Sequence, residues 1–222
     1  MKYRGPLPAD YQNVEALNAA FIRLLLRPGQ RSDMLLAGLP ESQRSRLRGL
    51  TVLQRERLAR TPFLLFSLRE SDSRYWEQLF RYEPSAGLFD APQQQAVAEA
   101  ELLGAALGFL WQLARDNAYA ARLVCGASLH WCEQLAEQPL LKAVRTAARA
   151  DVMRLRRESD ALWWHKLLYV GVASERPVRR AARISALQRM LTEGVELPRA
   201  PAALAASRIR RPSLKVAESN EP

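Results

Sequence analysis

The chain has 222 residues, 48% hydrophobic and 25% charged, with 33 Lys and Arg against 23 Asp and Glu for a formal net charge of +10. This is ordinary globular material, which excludes a chain too short or too polar to bury a core and fits one large helical domain or two small ones. The charge is lopsided: residues 142–215 hold 17 basic against 6 acidic residues, whereas the first 141 hold 16 against 15.

Residues 1–10 are proline-marked and read as an extended arm without an apolar leader segment. A first helix follows Asp10, its expected cap, with Val14, Leu17, Phe21, Leu24 and Leu25 recurring at three and four residues. Arg27-Pro28-Gly29 breaks it. A short turn at Met34–Leu36 and two helices, Glu41–Arg48 and Thr51–Arg60, come next. The apolar run Phe63–Phe66 after Pro62 reads most simply as buried helix, since a strand there has no partner in view. Asp72–Tyr82 is helical, and a break near 83–92 marks a possible sub-boundary.

The longest helix is expected from Pro92 to Asn117, with Ala100, Gly104 and Gly108 allowing close packing and Glu99 and Glu101 on a solvated face. Tyr119–Cys125, Ser128–Glu137, Pro139 to about Arg157, Asp160–Val172 and Pro177 to near Thr192 complete the helical pattern. No strand alternation and no Asn-Gly or Asp-Gly hairpin turn occurs. The expected fold is all-α: an irregular bundle of about eight to ten helices over residues 11–192, followed at 193–222 by a disordered Pro-, Ala- and Arg-rich basic tail.

Five features bear on chemistry. Tyr119–Leu135 weakly matches a helix-turn-helix: Ala120, Ala121 and Val124 pack, Gly126 turns, Ser128 caps, and His130, Glu133 and Gln134 face outward. A plain helical corner yields the same string, and Trp131 suits that better than a reading helix. The basic helical pair comes second. Lys142, Arg145, Arg149 and Arg156 flank the stripe Leu141, Val144, Ala148, Val152, Leu155, while Arg176, Arg179, Arg180 and Arg183 crowd the first turns of the last helix. Cations there oppose the helix dipole, so an external anion would relieve them; a solvated face with internal carboxylates is the alternative.

Third, Arg208, Arg210 and Arg211 form a phosphate-neutralising arm or a merely solubilising tail. Fourth, Cys125, Cys132, His130 and His165 lack the spacing of a zinc site, and free Cys on apolar helix faces is usually core. Fifth, of Trp163 and Trp164 one is expected inside and one at the rim near Lys166 and Arg156, available to a base or a membrane interface.

No phosphate loop, zinc-protease helix or nucleophile elbow is present, so no reaction is named and neither metal nor cofactor is expected. The 29 Arg against 4 Lys, with abundant Ala and Leu, have the cast of a bacterial protein from GC-rich DNA, and two cysteines suit a reduced cytoplasmic one. The resulting expectation is a non-catalytic regulatory or adaptor protein whose basic C-terminal half contacts a polyanion, DNA or RNA. An acidic protein partner and an anionic membrane surface are the alternatives. The anion-binding set is Arg145, Arg149, Arg156, Arg176, Arg179, Arg180, Arg183, Arg208, Arg210 and Arg211.

Overall fold

Helices account for nearly all regular structure. The computed structural model describes residues 5–81, 97–148 and 152–192, with the backbone alone at Ser73, Val97 and 145–148. The tail at 193–222, the sub-boundary near 83–92 and the expected start of the longest helix fall outside these residues. Among the described residues ten α-helices form: α1 (Pro8–Leu26), α2 (Gln30–Leu36), α3 (Glu41–Arg48), α4 (Val52–Ala59), α5 (Ser73–Arg81), α6 (Val97–Cys125), α7 (Leu129–Glu137), α8 (Leu140–Ala148), α9 (Ala161–His165) and α10 (Arg176–Leu191). Lys166–Val170 continues α9 as a π-helical turn, and two short strands, β1 (Phe66–Ser67) and β2 (Arg154–Leu155), pair antiparallel. No helix among the described residues is long and apolar enough to cross a membrane.

The apolar periodicity of α1 translates directly into packing, because Val14, Leu17, Phe21, Leu24 and Leu25 are all buried. Its start lies earlier than Asp10. Pro8 occupies the first turn, where its missing N–H costs nothing, and the Asp10 carboxylate accepts the Leu7 N–H at 2.6 Å. Thr51 and Gln54 form a reciprocal capping box on α4. Helix α6 kinks at Asn117, whose side chain accepts the Ala120 N–H at 3.1 Å and so caps the second half.

Three expectations are corrected by the fold. Phe63–Phe66 is not helical: β1 follows an irregular buried segment, and its partner β2 lies in what reads as the continuation of the helix opened by Pro139. Glu99 is buried, not solvated, and takes a bidentate bond from Arg31 at 2.6–3.0 Å. Trp163 and Trp164 are both buried: their indole N–H groups donate to Ala186 O at 3.0 Å and Arg156 O at 2.7 Å, and neither is left at the rim for a base or a lipid.

The irregular segment 59–70 runs through the core and would strand its peptide groups without polar partners. Asn18, wholly buried, donates to Ala59 O, Thr61 Oγ1 and Phe63 O and accepts from Leu65 N–H. Arg156 supplies the other side, donating to Leu64 O, Phe66 O and Glu70 Oε1 at 2.6–2.8 Å. Glu70 in turn accepts from Ser67 Oγ and Leu68 N–H. Gly126 turns the chain beside this group at φ +69°, where a Cβ would approach Met190 Cγ to 2.8 Å and Arg156 Nη1 to 3.2 Å. Only glycine meets both conditions.

Asp160 ties the loop before α9 to α10. It caps α9 through the Trp163 N–H and takes salt bridges from Arg157 at 2.7 Å and Arg189 at 2.8 Å. Burial pushes its carboxyl upward, but the hydrogen bonds from Arg157 and Trp163 and the two positive charges outweigh this and leave it below its ordinary value. A depressed carboxylate stabilises the fold above its unfolded pKa and stops doing so as pH falls through the folded value. Asp160→Asn should therefore be less stable than wild type near neutrality, with the difference shrinking below about pH 4. Thermal melts of both proteins from pH 7 to pH 2.5 check this; a difference independent of pH would contradict it.

Candidate anion-binding face

The ten arginines singled out from the sequence do not assemble as one patch. Arg156 leaves the set. It is 5% exposed and its charge is matched by Glu70 within the core, since an isolated guanidinium there would be too costly to desolvate. The side chains of Arg145 and Arg149, and all of Arg208, Arg210 and Arg211, lie outside the described residues. Arg176, Arg179, Arg180 and Arg183 remain, spaced at three and four residues along the first half of α10 and hence on adjoining faces of one helix.

What surrounds them was not visible in the local pattern. The end of the α9–π unit and the loop 171–175 that follows it present backbone carbonyls outside regular structure. Arginines donate to these. Arg46 Nε donates to Leu168 O at 3.3 Å, Arg57 Nη1 to Val172 O at 3.2 Å, and Arg179 Nη1 to Ala173 O at 2.8 Å and to Ser174 O. Arg183 Nη2 donates to Arg57 O, which joins α10 to the end of α4. Arg46, bonded to Leu168 O in the last turn, is a cation at the negative end of a helix. Arg179 at the start of α10 is bonded to the loop that leads into its own helix.

These carbonyls satisfy donors but carry no net charge. Among the described residues the carboxylate bonded to this group is Glu15, which pairs with Arg60 at 2.8 Å across an exposed surface. Arg183 is half-buried, and its Nε, shielded from water, has no partner among the described residues. Burial, then the nearby charges of Arg179 and Arg60, push its guanidinium below the ordinary value against a smaller pull from Glu15. Arg176 and Arg180 are exposed and form no ion pair among the described residues. The result is a cationic face built from α4, α10 and the segment after the π-helical turn, on which Arg60 is paired with Glu15 while Arg57, Arg176, Arg179, Arg180 and Arg183 form no ion pair among the described residues. Arg46, Arg57 and Arg60 come from the half of the chain with nearly balanced charge. A tally by sequence segment passes over them, because the groups that Arg46 and Arg57 meet in space are more than 100 residues away.

The remaining candidates are chemically quiet. Gly126 and Ser128 do turn the chain and cap α7, the latter accepting the Trp131 N–H at 3.1 Å. Trp131 is buried edge-on against Trp76 at 5.4 Å, and the exposed face of α7 carries His130, Glu133 and Glu137 without a Lys or Arg. Such a face is unsuited to approaching phosphate. Cys125 and Cys132 are free and buried, and burial first, then Cys132 and Glu70, hold the Cys125 thiol well above its ordinary value. A reactive cysteine needs the opposite shift. Among the described residues no three His, Cys, Asp or Glu side chains gather as a metal would require. A cleft of about 550 Å³ between α5, α7 and α8 is lined by Glu77, Arg81, Glu137 and Lys142, and one of about 370 Å³ lies between α1 and α6; neither includes His130 or His165. Comparison with protein-family models, with curated proteins and with solved structures returns no match.

Proposed function

We propose that this is a non-catalytic helical regulatory or adaptor protein that contacts a polyanion, with nucleic acid as the partner, through the face formed by Arg57, Arg60, Arg176, Arg179, Arg180 and Arg183. The observation that carries the reading is the way the guanidinium groups are held: Arg57, Arg179 and Arg183 bond to neutral carbonyls instead of carboxylates. Their positions are set by the fold while their charge stays available. Positioned cations meeting a phosphate chain release counterions, so affinity depends strongly on salt and weakly on sequence.

Arg176 and Arg180 are the residues to test, because both are exposed and neither holds another element in place. Fluorescence anisotropy with a labelled nucleic acid should give a linear fall of log affinity with log salt. Arg176→Glu/Arg180→Glu should weaken binding at least tenfold at low ionic strength. It should also flatten that slope by roughly two, at about 0.9 for each phosphate no longer neutralised. No complex at low salt, or a double variant that binds like wild type, sinks the proposal. An acidic protein partner is the second reading, favoured by Val52, Leu53 and Ile184, which are 70%, 52% and 46% exposed on the same two helices. Recovery of one stoichiometric acidic protein, insensitive to nuclease, would select it.

A further inference from the structure

At the edge of the cationic face stands an exposed aromatic column. His165 and Tyr169 stack with ring centroids 4.5 Å apart and planes 24° from parallel, and the Arg46 guanidinium lies 5.2 Å from the Tyr169 centroid. Tyr169 is 41% exposed and His165 is exposed too. The aromatic contacts of the core are tilted or edge-on, as between Phe63 and Trp163 or Trp76 and Trp131, and serve to fill volume. A near-parallel pair left in water fills none.

The backbone is arranged to hold this column. Lys166–Val170 is π-helical, closed by the Gly171 N–H to Lys166 O bond at 2.9 Å. A Cβ on residue 171 would sit 2.7 Å from Leu167 O, so glycine is what permits the turn. Such turns are uncommon and frequent at functional sites. The column meets one arginine directly, Arg46, which also donates to Leu168 O, and the others lie near it along the chain. Tyr169 is three residues from Val172, whose carbonyl is bonded by Arg57, whose own carbonyl is bonded by Arg183.

Ring faces beside guanidinium groups held by neutral carbonyls are the two parts of a surface for unpaired nucleotides: bases stack on the rings and phosphates track the cations. A duplex can supply the phosphates, but its base faces are already stacked on one another. We infer that the polyanion met by this face is single-stranded nucleic acid, with a base added to the His165–Tyr169 column.

This rests on the anion-binding reading above, and one experiment separates the two. Anisotropy is measured at fixed ionic strength for three labelled probes with equal numbers of phosphates: oligothymidine, an abasic strand and a duplex. Wild type should bind oligothymidine about tenfold more tightly than the abasic strand. Tyr169→Ala and His165→Ala should each reduce that preference to about twofold or less while leaving abasic affinity unchanged, and Tyr169→Phe should keep it. Circular dichroism reports whether each variant is folded; the two alanine variants lie on opposite sides of the stack, so either alone suffices. Equal affinity for oligothymidine and the abasic strand, or a preference that survives both alanine variants, overturns this inference and leaves the anion-binding reading standing. Failure of all three probes to bind overturns both.

Discussion

Replacing Arg156 by Met is expected to lower the unfolding free energy by about 3–5 kcal/mol, the usual cost of removing one partner from a buried pair. The size follows from what is left behind. Glu70 is 6% exposed and would be left in the interior with only the Ser67 hydroxyl and the Leu68 N–H as partners. Leu64 O and Phe66 O would each lose a bond of 2.6 Å. Urea denaturation followed by far-UV circular dichroism measures the loss. Should the Met variant not fold, Arg156→Lys gives a second measurement. It preserves the charge opposite Glu70 but lacks the planar fork that reaches two carbonyls at once, so an intermediate loss of about 1–3 kcal/mol is expected. A Met variant within about 1 kcal/mol of wild type would mean that the pair does not hold the segment, since breaking a buried charge pair cannot be that mild. The same result bears on function, because a residue that reads from sequence as part of an anion site is committed to the interior.

Asn18→Ala should cost about 2–4 kcal/mol on the same measurement. The Asn18 amide is wholly buried and completes both its donors and its acceptor against 59–65, a segment with no ladder of its own. Alanine leaves Ala59 O, Phe63 O and Leu65 N–H without that partner in a dry interior, and each such group costs about 1–3 kcal/mol with less than full additivity. Asn18→Asp separates hydrogen bonding from volume. It is the same size, but a carboxylate cannot donate to the two carbonyls and would bring a charge against them, so it should be at least as damaging as alanine. An Asp variant as stable as wild type would refute the assignment of the amide donors.

The outcome at these two residues marks where reading by pattern stops. Helix α1 was legible because its stripe is local: residues three and four apart share a face whatever lies opposite. The break at Asn117 was legible for the same reason, and it is a kink inside α6 because Asn117 can cap the next turn itself. The segment 63–66 was not legible, because its strand partner is Arg154–Leu155 and its other partners are Asn18 and Arg156, far away along the chain. Glu99 reads as solvated on the helical wheel, and only the position of Arg31 on α2 buries it. One of Trp163 and Trp164 reads as a rim residue until the carbonyls of Ala186 and Arg156 are placed beside their indoles.

Charge divides along the same line. Composition determined that the molecule carries an excess of cations, and spacing determined that four of them share the first half of α10. The chain alone likewise determined the all-α class, since three- and four-residue apolar recurrence is a property of neighbours in sequence. Tertiary structure decided which guanidinium groups are cancelled and which are not. Arg156 meets Glu70 in the core, while Arg57, Arg179 and Arg183 meet uncharged carbonyls at the surface. The reason is physical: the field at a charge depends on distance through space and on the water excluded around it, and neither is a function of position along the chain.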